Sequence, residues 1–88
     1  MVLKTENELR FMELLGARFQ EYRQRLGYSL EEIADLMGAS RSLIVHWEVG
    51  KSIISGPKMI LMAHVLQIPW VEILKLFEEA HNDIPARA

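Results

Sequence analysis

Between Ser40 and Lys51 the chain reads SRSLIVHWEVGK, and most of its polar side chains donate hydrogen bonds. Arg41 carries a fork of N–H groups, Ser40 and Ser42 carry hydroxyls, and His46 carries an imidazole. On a strand, Ser42, Ile44, His46 and Glu48 would share one face, and Leu43, Val45 and Trp47 the other. Neither face is clean. At about 100° per residue on a helix, Ile44 and Trp47 share a side, with Ser40 close by and Leu43 at its flank. Arg41, Ser42, Val45 and His46 then point the opposite way. The segment reads as a helix with an apolar anchor and a small, chemically mixed outer side.

Other residues of reactive type do not assemble into a site. Glu31, Glu32 and Asp35 resemble a carboxylate cluster, but the two glutamates fall in the first turn of a helix, where the dipole favours anions. His64 and His81 have no carboxylate or cysteine at ligand spacing, so no metal site is expected. The sequence holds no cysteine, which removes disulfides and thiolate chemistry and fits a reducing compartment. It shows no nucleophile–base pairing, glycine-rich phosphate loop or cofactor signature. The expectation is a protein that is not an enzyme and needs no cofactor.

The elements that must position the outer side all read helical. Thr5 with Glu8 forms a capping-box pair, and Met12, Leu15, Phe19, Tyr22 and Leu26 recur at spacings of three and four. This predicts a first helix over about 5–26, ended by Gly27. Ser29 with Glu32 opens a second over 30–37, its buried side expected at Ile33, Leu36 and Met37, with Gly38 as the left-handed stop. Ser40 caps the third, 41–48, and Trp47 is expected in the core. Ser55 caps a fourth over 56–66, with Pro57 in its first turn, and Pro69 opens a fifth over 70–80. Residues 81–88 read as a flexible tail. With no strand signal or repeat, residues 1–80 are expected to form a single all-α domain, a compact five-helix bundle.

Two helices joined by a glycine-containing turn, the second having a core side and a polar side, make a helix-turn-helix. Ala34 is small enough for a close crossing, and Ile33, Met37, Ile44 and Trp47 supply the apolar seam. With YRQRLGYSLEEIADLMGASRSLIVHWEVGK followed by MAHVLQIPWVEIL, the chain resembles the phage-repressor and Cro-like (XRE-type) helix-turn-helix family over roughly residues 15–74. That resemblance implies the lambda-repressor-like DNA-binding fold, with helix 41–48 entering the major groove of double-stranded DNA.

Arg41, Ser42, Val45 and His46 match the family's base-reading positions. The chemistry suits the assignment: an arginine fork fits guanine O6 and N7, and a valine packs on a thymine methyl. Ser40, Lys51 and Lys58 are expected at phosphates. Arg23 and Glu48 occupy the places of an ion pair common in the family. Departures from its pattern fall at Leu30, where a phosphate-contacting Gln is usual, at Val49, where Asn is frequent, and in SIISGPK, where basic residues are common. Each predicts one fewer backbone contact and a shallower salt dependence.

Length and charge bound the partners. The 88 residues are half hydrophobic and carry a net charge of −2. That suits one core, whereas a DNA-binding domain is ordinarily basic. Between Leu36 and Val71, however, the only acid is Glu48, against Arg41, Lys51 and Lys58. The longest apolar run, Met59–Ala63, falls far short of the ~20 residues of a membrane span, and the first ten residues lack the pattern of a signal peptide. A soluble cytoplasmic protein is expected.

MILMAHVLQIPWVEILKLF is too apolar for two surface helices. Leu61 is expected to face solvent and to join Ile53, Ile54 and Trp70 in a partner surface. The leading expectation is a bacterial or phage transcriptional regulator, a repressor acting as a homodimer. The alternative is a protein-interaction module, or an antitoxin, that keeps the fold with a weakened DNA surface.

Overall fold

The computed structural model describes residues 6–84. Five helices follow one another: α1 (Glu6–Leu26), α2 (Leu30–Met37), α3 (Arg41–Glu48), α4 (Gly56–Leu66) and α5 (Trp70–Ala80). Among the described residues there is no strand, and the fold is an all-α helix-turn-helix. No helix among them is long and apolar enough to cross a membrane.

Local chemistry sets the boundaries. At α2 the Ser29 hydroxyl accepts from the Glu32 amide at 3.0 Å, while the Glu32 carboxylate accepts from the Ser29 amide at 2.9 Å. Each side chain thereby satisfies a donor that the first turn leaves unpaired. Gly38 ends the helix at φ +61, in the left-handed region that a Cβ disfavours. Ser40 caps α3 through the Leu43 amide and Ser55 caps α4 through the Lys58 amide. The Thr5 cap expected for α1 lies outside the described residues. Residues 81–84, expected in the tail, form a turn in which Asp83 accepts a hydrogen bond from Asn7 at 2.9 Å and His81 stacks on Phe77.

The core draws on every helix: Leu15 and Phe19 of α1, Ile33, Ala34 and Met37 of α2, Ile44 and Trp47 of α3, Met62 and Leu66 of α4, Ile73 and Leu76 of α5. The long α1 packs on α3, α4 and α5, while α2 packs on α3 and α4. Gly16 makes the α1–α3 approach possible. A Cβ there would lie 2.3 Å from the Trp47 carbonyl oxygen and 2.5 Å from that of Glu48.

Two side chains differ from expectation. Leu36 is exposed, and Ala34 takes its place on the buried side of α2. Leu61 is half-buried against the core rather than facing solvent; its neighbour Ile60 is the exposed residue, at 57%. The uninterrupted apolar run 59–63 leaves the phase of α4 undefined in sequence, and packing against α1 and α2 decides it.

Candidate nucleic-acid interface

Three anchors orient α3. Ile44 is fully buried and Trp47 nearly so, both within the common core. At the carboxyl end, Glu48 is buried and held by Arg23 of α1. Arg23 Nε donates to Oε2 at 2.6 Å and Nη2 to Oε1 at 3.2 Å, while Nη1 donates to the Tyr28 carbonyl at 3.0 Å. One arginine thus joins α1, the α1–α2 turn and the end of α3. Such a bidentate fork fixes direction as well as distance. The Trp47 Nε1–H is buried without a hydrogen-bond partner among the described residues.

With these anchors set, Arg41, Ser42, Val45 and His46 all lie on the exposed side of α3. Ser40 is exposed at the helix amino end, its oxygen accepting from the Leu43 amide while its O–H remains able to donate. Lys51 is exposed just beyond the helix, its backbone amide donating to the His46 carbonyl at 2.9 Å. This surface brings together a guanidinium, an ammonium, hydroxyls and an imidazole. Glu48 is buried and neutralised by Arg23, so the whole stretch 37–70 exposes no carboxylate. Its charge is locally positive on a chain of net −2.

Lys58, expected at a phosphate, also makes a contact within the fold. Its Nζ donates to the Met37 carbonyl at 2.5 Å, capping the carboxyl end of α2. The ammonium satisfies an end carbonyl that has no partner in the helix and complements the negative end of its dipole. It is a brace between α4 and α2. Sequence reasoning also missed Glu31, whose Oε1 lies 3.2 Å from Arg41 Nε. The available signal was opposite charge at the amino ends of two helices joined by one tight turn.

Residues 19–73 match the sequence profile of the helix-turn-helix family, more than half of the chain. The chain belongs to the helix-turn-helix family. Within this helix-turn-helix, α2 and α3 are the paired helices, and α3 carries the exposed polar side. The chain is also similar, at 29% identity over 68 residues, to a Pyrococcus furiosus protein named as a candidate HTH-type transcriptional regulatory protein. The match takes in 77% of this chain and 22% of that protein, so the helix-turn-helix chain spans under a quarter of the relative's length.

The expected partner surface is reshaped. Ile53 and Trp70 are exposed, at 60% and 51%, whereas Ile54 and Leu61 are half-buried against the core. Ile53 and Ile54 border a recess of about 400 Å³ shared with Phe11, Met59 and Phe77. Trp70 and Leu74 border a second one, about 300 Å³, that shares the same three residues. The two recesses therefore join into one apolar surface across α1, α4 and α5.

Proposed function

We propose that this protein is a sequence-specific DNA-binding transcriptional regulator that inserts α3 into the major groove. The observation that carries the reading is the division of α3. Ile44, Trp47 and Glu48 are buried, while Arg41, Ser42, Val45 and His46 are exposed together. A helix about 10 Å across fits the major groove, whose base edges present acceptors and methyl groups to such side chains. Arg41 forks onto guanine O6 and N7, Val45 meets a thymine methyl, and Ser42 and His46 donate to a base edge or phosphate. Ser40 and Lys51 hold the backbone, and those phosphate contacts set register rather than sequence. The name of the Pyrococcus furiosus relative supports regulation as the role. Repression is the simplest outcome, since a bound site is denied to other proteins.

The reading includes a homodimer formed through Ile53, Trp70 and the exposed Leu74 beside Trp70, which presents two reading helices to one duplex. The same exposed apolar residues also suit a protein partner such as a toxin, with DNA binding secondary. Selection of binding sites from a random duplex library tests the principal reading. A recovered consensus should lose affinity when 7-deazaguanine removes the N7 acceptor, which lies only in the major groove. Failure to enrich any sequence would favour the protein-partner reading.

A further inference from the structure

Arg41 is paired with a carboxylate before any partner arrives. Its Nε lies 3.2 Å from Glu31 Oε1, with both side chains about two-thirds exposed (64% and 68%). At that exposure an ion pair contributes little to folding, so stability does not account for the arrangement. Glu31 is the second residue of α2 and Arg41 the first of α3, so the pair spans the turn at the edge of the exposed side. The contact divides the guanidinium. Nε is the atom that pairs with Glu31, while Nη1 and Nη2 make no hydrogen bond or ion pair among the described residues.

We infer that Glu31 is a positioning residue for Arg41, holding Nε so that Nη1 and Nη2 are presented as a fork to guanine O6 and N7. The inference rests on the proposed reading of DNA by α3. Two physical effects follow from the pair. A tethered guanidinium loses fewer orientations on meeting a base, which favours the one geometry that makes two hydrogen bonds. The Glu31 carboxylate also repels phosphate, so it weakens contact with DNA of any sequence. The first effect raises discrimination by favouring the correct site, whereas the second lowers affinity for all DNA and leaves the ratio between sites unchanged.

The test uses a duplex taken from library selection, the same duplex with the Arg41-dependent guanine replaced, and a random-sequence duplex. That guanine is the one whose preference disappears in Arg41→Ala. Wild type, Glu31→Gln, Arg41→Ala and the double variant are titrated against each at two salt concentrations. The expected result for Glu31→Gln is about 3-fold tighter binding to random duplex, with a log–log salt slope steeper by about one. Preference for the guanine falls about 5-fold or more. In both backgrounds Glu31→Gln leaves the melting temperature and the preference at the other base pairs of the site unchanged, whereas a merely structural role for Glu31 would erode them all. Wild-type discrimination with an unaltered ratio in Glu31→Gln overturns the inference and leaves the DNA reading standing. Absence of wild-type binding to every duplex at low salt overturns both.

Discussion

Arg23 Nε and Glu48 Oε2 lie 2.6 Å apart, with side-chain exposures of only 12% and 4%. This buried pair fastens the carboxyl end of α3 to α1, while Ile44 and Trp47 fasten its inner side to the core. Three constraints on one eight-residue helix fix both its axis and its rotation. The outer side of α3 is therefore presented in a set direction, which a rigid recognition surface requires.

Removing one member of that pair should be costly. Glu48→Ala leaves the Arg23 guanidinium desolvated beside the Tyr28 carbonyl alone, and the expected loss is about 3 kcal/mol of unfolding free energy. Arg23→Lys should also destabilise, because an ammonium cannot reproduce the two-pronged contact. Urea denaturation of the three proteins checks both outcomes.

Gly16→Ala should destabilise by about 2–3 kcal/mol, since the new methyl meets backbone oxygens of Trp47 and Glu48 that cannot rotate aside. Gly56→Ala is the matching control. It has open space around its Cβ and no positive φ, and should leave the melting temperature unchanged or raise it slightly. A similar loss in both variants would contradict the close α1–α3 approach.

The α1–α5 contact should respond to pH at both extremes. Glu72 accepts hydrogen bonds from the Tyr22 hydroxyl and from Arg18 Nη1. The Tyr22 bond, aided by Arg18, holds the Glu72 carboxyl below its ordinary range despite opposing desolvation, and the bond to Glu72 raises the Tyr22 phenol. A carboxyl depressed in the folded state contributes stability above its unfolded value, and that stability is lost as pH falls through the folded one. A raised phenol contributes below its unfolded value of about 10, and its contribution is lost as pH rises through the folded value. Tyr22→Phe should flatten the alkaline loss and move the acid loss of Glu72 to higher pH. Thermal melts from pH 2 to 11 on both proteins measure this; identical profiles would show that the contact adds no pH dependence.

Trp70→Glu should convert the proposed dimer to monomer in sedimentation, because it places a charge on the apolar surface of α5 without entering the core. An unchanged mass would remove that surface from the assembly.

The helices were legible because their ends are written locally. Ser29 with Glu32, Gly38, Ser40 and Ser55 each act on amides or φ angles within a few residues. The division of α3 was equally readable, since Ile44 and Trp47 are large apolar residues at helical spacing. Leu36 and Leu61 were misread for a shared reason. Short helices rich in apolar residues carry little periodic information, and the neighbouring elements choose which residue turns inward. Lys58 and Glu31 depend on long side chains reaching another helix, which no local spacing reports. Gly16 offered a usable hint: glycine within a helix weakens it, so its presence there signals a close approach.

The measurement that bears most directly on the central claim is fluorescence anisotropy of a labelled duplex titrated with wild type and Arg41→Ala at two salt concentrations. The account predicts binding that weakens steeply with salt. It also predicts that Arg41→Ala loses about 1–3 kcal/mol on a selected site while its melting temperature is unchanged. No binding at low salt, or equal binding by the two proteins to every duplex, would contradict α3 as a reading helix.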